Sequence, residues 1–221
     1  MHIFPQEVAV PKSIIAPQNA RSRRTANALL AAARELIAEQ GFESLTMAAV
    51  AERAGVSRRA VYLHFTSRAE LVGSLIGYVG EVEDLGSSLQ RVWEADDSVA
   101  ALDVWAQHLA RAHPKILAVT RAAERVRETD PDAARIWNEV MHRWRLGSRR
   151  LATWLDDEGR LAAPWTVESA AEMLWALMSL DMLERLTVDR RWSRKRYAEH
   201  LGLLFRRTFV RDEGTPTRSV A

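Results

Sequence analysis

The 221-residue chain contains no cysteine. Disulfides and thiolate metal sites are therefore excluded together, and nothing points to secretion. No apolar run reaches the ~18 residues a membrane span needs. No glycine-rich phosphate loop and no serine-centred nucleophile elbow occurs. Strict period-two alternation is also missing over any stretch long enough to predict a strand. The opening "MHIFPQEVAVPKSIIAPQNARSRR" has prolines and a late basic cluster but no cleavage site, so it does not read as a signal peptide. The expectation is a cytoplasmic, all-α protein with no cofactor and no metal.

What is present is ordinary in amount and uneven in placement. Hydrophobic residues make up 48% and charged residues 27%, the balance of a globular protein. The net charge is +2, yet residues 1–80 hold nine basic against six acidic side chains. Arg21, Arg23 and Arg24 stand together before the first predicted helix. Such a cluster can neutralise phosphates and release their counterions.

Helical periodicity covers nearly everything after residue 24, in about nine predicted helices. Thr25–Gln40 carries Leu29, Leu30, Ala33, Leu36 and Ile37 on one stripe and stops at Gly41. Thr46 and Ser57 are predicted to cap two short helices, and Ser67 with Glu70 resembles a capping box opening a fourth, over 67–93. Longer spans follow at about 98–112, 114–128, 132–157, 166–188 and 193–210, with Pro114 and Pro131 expected in first turns. The predicted organisation is a basic arm (1–24), a three-helix domain (25–66), a connecting helix (67–93), a larger domain (94–211) and a tail (212–221).

The stretch "AERAGVSRRAVYLHF", residues 51–65, carries the chemistry. Two short helices joined by a glycine-containing turn form a helix-turn-helix. Val50, Val56 and Val61 are expected to fill the seam between them, with Phe65 closing it. The second helix would enter the major groove with its N-terminal residues on base edges, where Arg58 and Arg59 sit. Arginine's fork matches the O6 and N7 acceptors of guanine. A helix N-terminus is unfavourable for cations unless an anion compensates, and a phosphate would do so. Tyr62 and His64 suit phosphate contacts at the groove's rim.

Residues 25–72 resemble the N-terminal domain of the TetR family of transcriptional regulators. The resemblance rests on Gly41-Phe42, "LTMAAVAERAGVS", Tyr62-x-x-Phe65 and "TSRAEL". It implies a homodimer on a palindromic operator, usually a repressor released by a small ligand, with Thr46, Tyr62, His64 and Arg68 on the DNA backbone. The candidate DNA-binding set is Arg23, Arg24, Thr46, Ser57, Arg58, Arg59, Tyr62, His64 and Arg68. Two positions depart from the family pattern: Arg59 stands where glycine is common, and Ala60 where a phosphate-binding Thr or Ser is common. Arg59 predicts a half-site containing G·C pairs.

Beyond residue 80 the resemblance fades and the tryptophans stand out, eight in all. Trp137, Met141 and Trp144 recur at helical spacing. A ligand cavity is expected among Trp105, Trp137, Met141, Trp144, Trp175 and Met178, with His108 and Arg121 as polar anchors and a largely apolar or aromatic effector. The last two helices are apolar around much of their circumference, which predicts a four-helix dimer interface. The alternatives are a metal-dependent helical enzyme or an interaction protein that binds no DNA. Glu139-x-x-His142 has the spacing of a di-iron ligand pair, but no second Glu-x-x-His exists. An enzyme is not expected.

Overall fold

The computed structural model describes residues 20–211, and its ten α-helices are α1 (Ala20–Gln40), α2 (Met47–Arg53), α3 (Arg58–His64), α4 (Arg68–Val82), α5 (Leu85–Trp93), α6 (Ser98–Val126), α7 (Pro131–Asp157), α8 (Val167–Leu177), α9 (Leu180–Glu184) and α10 (Arg194–Phe209). A short 3₁₀ turn follows α1 and a π-helical turn follows α9. The described residues contain no strand, only an isolated bridge between Leu161 and Val210. The chain divides into two compact units. One contains residues 20–82 and 118–137; the other contains 83–117 and 138–211. Both α6 and α7 therefore run from one unit into the other.

In the first unit the expected caps form. Gly41 adopts φ +85° and donates its N–H to the Ile37 carbonyl, closing α1. The Thr46 hydroxyl accepts from Ala49 N, and Ser57 from Ala60 N, so α2 and α3 each start on a satisfied donor. Glu70 differs in detail. Its carboxylate takes the N–H and hydroxyl of Thr66, one residue earlier than a standard capping box, while Ser67 caps Glu70 N. The core comes from Leu29, Ala33, Ile37, Phe42, Leu45, Val50, Val61, Leu71 and Leu75, all with at most 2% exposure. Each large apolar side chain buried this way contributes roughly 1.5–3 kcal/mol.

Four sequence expectations change. α1 begins at Ala20, so Arg21, Arg23 and Arg24 ride on a helix; residues 1–19 of the expected arm, and the whole of the expected tail, lie outside the described residues. The span 67–93 is broken at Asp84, whose left-handed conformation (φ 49°) an Asp tolerates better than most residues. In contrast, α6 continues through Pro114. Burial of Ala106, Leu109, Ala110 and Ala112 keeps the chain helical past a residue that removes one hydrogen bond. Finally, the predicted helix 166–188 stops at Met178, because Ser179 leaves helical geometry and its hydroxyl accepts from Asp181 N and Met182 N to start α9.

The second unit is centred on one cluster that includes Leu102, Trp105, Leu109, Leu151, Leu155, Leu174, Leu201 and Phe205. Tyr197, Leu201, Phe205 and Phe209 line the buried face of α10, while Leu203 and Leu204 remain exposed, as does Met173 on α8. No helix among the described residues is long and apolar enough to cross a membrane.

Candidate nucleic-acid interface

The turn between α2 and α3 is made by Gly55, at φ +66°, where a side chain would be strained. It turns the chain so that Val50 and Val61 are both fully buried and Phe65 follows at 5% exposure. Val56 departs from its expected place: it is half-buried, and only its backbone N–H ties inward, to the Ala51 carbonyl. With Val61 and Phe65 fixed inward, helical geometry turns the rest of α3 outward. Arg58 and Arg59 are exposed on its first turn, Tyr62 is 44% exposed, and His64 is half-buried. Neither Arg58 nor Arg59 has an ion-pair partner among the described residues.

Leu63 was not among the candidate residues, yet it is 77% exposed on the same helix. The signal was available: two positions past Val61 and two before Phe65, it lies off the buried stripe. An outward leucine gains nothing from the fold, but it can meet a thymine methyl in the major groove.

A second basic surface adjoins the turn. Arg21, Arg24, Thr25 and Ala28, on one face of α1, line a shallow depression of about 390 Å³ together with Val56. Arg21 thus joins Arg24 beside the start of α3, whereas Arg23 is exposed but outside the depression. Arg24 is steadied by its Nε donating to the Ala20 carbonyl at 3.3 Å.

Arg68 is placed differently from the other candidates. Its guanidinium pairs with Asp130 (2.9 Å) and Asp132 (2.8 Å), donates to the Leu45 and Phe42 carbonyls, and lies over the Phe42 ring. Only 26% of the side chain is exposed. All its described hydrogen bonds are thus made inside the unit, joining the start of α4 to the α6–α7 turn. Arg53 does similar work at the outer edge, bridging Glu35 and Glu39 of α1.

The candidate ligand residues are dispersed. Arg121 and Trp137 belong to the first unit, where Arg121 pairs with Glu124 and Arg127 stacks on Trp137. Trp105, His108, Met141, Trp144, Trp175 and Met178 belong to the second. There Trp105, Met141 and Met178 are buried, and Trp105 packs against Trp93 and His108. His108 Nδ1 meets Ser88 Oγ at 3.0 Å, and burial, then Arg111 and Arg91, push its pKa down to about 4. Sequence reasoning missed His113. It is 1% exposed, stacks on Trp144 at 4.5 Å, and neither ring nitrogen has a partner. Of the alternative metal pair, Glu139 holds Arg143 and His142 is exposed, and no metal-binding cluster occurs among the described residues.

This surface and fold define a helix-turn-helix protein with a larger helical domain. Residues 29–75 match the sequence profile of bacterial regulatory proteins, tetR family. The HTH-type transcriptional regulator TtgR of Pseudomonas putida is 36% identical over 81 residues, which are 37% of this chain and only 37% of TtgR. The HTH-type transcriptional repressor BepR of Brucella suis is 27% identical over 170 residues, 72% of this chain and 79% of BepR. Among solved structures, NalD of Pseudomonas aeruginosa, the secondary repressor of the MexAB-OprM multidrug efflux pump, shares the fold at a TM-score of 0.67 and 24% identity, over 88% of this chain and all of NalD. Residues 29–75 thus match the tetR-family DNA-binding profile, and the described chain shares its fold with NalD.

Proposed function

We propose that the protein is a ligand-responsive repressor that binds a palindromic operator as a homodimer and is released by a largely apolar or aromatic small molecule. The observation that carries this reading is the pair Arg58 and Arg59, exposed and without ion-pair partners among the described residues, at the start of a helix whose other face is locked into the core. Positive charge there is unfavourable in isolation and favourable against phosphates and guanines. The names of BepR and NalD as repressors support the sign of regulation.

Dimerisation is assigned to α8 and α10. Each already buries one face in its own chain and still leaves Met173, or Leu203 and Leu204, in solvent. A twofold pairing of those faces would cover them. Coupling runs through α4: effector binding shifts this helix and changes the separation of two recognition helices that must match about one DNA turn. The Arg68 pairs with Asp130 and Asp132 give that helix a fixed grip on the α6–α7 turn.

Selection of genomic fragments by purified protein, at low and high salt, tests the reading. A palindrome with two equivalent half-sites is the expected result. Weak, sequence-independent retention that disappears with salt would overturn it.

A further inference from the structure

The buried polar groups of the second unit suggest what its ligand is. A buried donor or acceptor without a partner costs roughly 1–3 kcal/mol, so native cores hold few of them. Here Trp105 Nε1, both nitrogens of His113, Trp175 Nε1 and the Tyr197 hydroxyl are buried with none. Two of these residues share one seam. Trp105 and His113 lie on α6; Trp144, which stacks on His113, and Gly147, which receives the Trp105 ring, lie one turn apart on α7. A Cβ at Gly147 would come within 2.5 Å of Trp105 Cη2, so the ring occupies space that any side chain there would fill. Pro114, next to His113, has no N–H to give the Ala110 carbonyl, which adds an acceptor lacking its helical donor.

The chemistry of the seam is one-sided. The buried polar side chains among the described residues are Ser88, Ser98, His113, Thr120 and Ser148, with no carboxylate, ammonium or guanidinium among them. An ionic ligand would find no buried counter-charge, and burying a charge without one is prohibitive. Burial pushes the His113 pKa down to about 3, so its imidazole is neutral and offers one donor and one acceptor. The Trp105 indole adds a donor, and Trp144 supplies an aromatic wall.

We propose that His113, backed by Trp144 and flanked by Trp105, is the recognition group for the effector, and that the effector is an uncharged aromatic molecule carrying a hydroxyl or amide group. Such a group both donates to and accepts from the imidazole, completing what the fold leaves unpaired. Trp105, whose N–H is held by no acceptor, is the side chain that moves to admit the ring. The inference rests on the reading of the protein as ligand-responsive.

The test uses three probes of one shape: 4-phenylphenol, biphenyl-4-carboxylate and 4-phenylbenzylammonium, titrated into the full chain at pH 7.5 with tryptophan fluorescence as readout. The phenol is expected to bind at least about tenfold more tightly than either ion, the discrimination of one buried hydrogen-bonding group. His113→Phe is expected to bring the affinity for the phenol down to that for unsubstituted biphenyl while leaving the biphenyl affinity unchanged, and His113→Gln to restore part of the difference. Equal or tighter binding of an ion, an undiminished phenol affinity in both variants, or no saturable binding by a protein that still selects its operator would overturn the inference. A failure to select any operator is scored separately in the fragment experiment and overturns the regulator reading instead.

Discussion

In the unit built on residues 20–82 and 118–137, Arg53 and Arg68 each hold two carboxylates, and the cap residues of α2 and α3 meet their backbone donors. In the unit built on residues 83–117 and 138–211, polar atoms of His113, Trp105, Trp175 and Tyr197 are buried without a partner among the described residues. Every buried side-chain orphan among the described residues falls in this second unit. The difference matches the division of labour proposed above. The first unit is satisfied internally and directs Arg58 and Arg59 outward, which suits a rigid reader of a polyanion. The second keeps buried polar atoms without partners among the described residues, a cost that the proposed ligand would offset.

The largest test of this contrast is at the outward cations. The double substitution Arg58→Ala, Arg59→Ala is expected to weaken operator binding by at least about 100-fold, since each guanine contact is worth roughly 1–3 kcal/mol. Thermal stability should hardly change, because both side chains are exposed. Binding measured against salt on operator variants separates their roles. Arg59→Ala that weakens all variants equally would make Arg59 a phosphate contact and remove the expectation of a G·C-containing half-site.

Next in size is the internal clasp. Arg68→Met leaves Asp130 without its cation and Asp132 with only Arg135, at 3.8 Å, and frees the Leu45 and Phe42 carbonyls. Between an exposed pair and a fully buried one, a loss of about 2–3 kcal/mol is expected by urea unfolding. Wild-type stability with reduced operator affinity would instead return Arg68 to the DNA backbone, where the family resemblance puts it.

The second unit is tested by acid. Burial holds the His113 pKa near 3 when folded, against about 6.5 unfolded, so the unfolded chain takes up the proton first. Stability is complete above the unfolded pKa and falls as pH drops below it, until the folded pKa is reached. Between pH 7.5 and 5.0 this residue alone should account for a loss of about 2 kcal/mol. His113→Phe, followed by urea unfolding at both pH values, should remove that part of the loss. An unchanged pH slope would mean that the imidazole reaches water or a partner in solution.

These contrasts also mark where the sequence was legible. Local signals were read correctly in the helix-turn-helix: Gly41, Thr46, Gly55 and Ser57 act on residues within four positions, and the Val61/Phe65 stripe names its own buried face. The pairs of Arg68 with Asp130 and Asp132 were not legible, because the partners lie 62 and 64 positions away and no spacing rule connects them. Pro114 misled for the same reason, since packing from other elements kept α6 intact. The tryptophan stripe runs over α6, α7 and α8, and periodicity does not tell a filled core from a pocket. The more informative signal was a histidine beside a proline, which becomes meaningful only once its burial is known.

The smallest expected effect is at Leu63, and it divides fold from function most cleanly. The side chain is 77% exposed, so Leu63→Ser should change unfolding free energy by no more than about 0.5 kcal/mol. If Leu63 rests on a thymine methyl, the same substitution should cost about 1 kcal/mol at one base position of each half-site and nothing elsewhere. Uracil in place of that thymine should then reproduce the loss in the wild type and add nothing in the variant. Uniform weakening across all operator variants would place Leu63 against the sugar-phosphate backbone, and no change at all would make it an ordinary exposed leucine. Only the first outcome adds an apolar reader beside the two arginines, giving α3 contacts to both kinds of base pair.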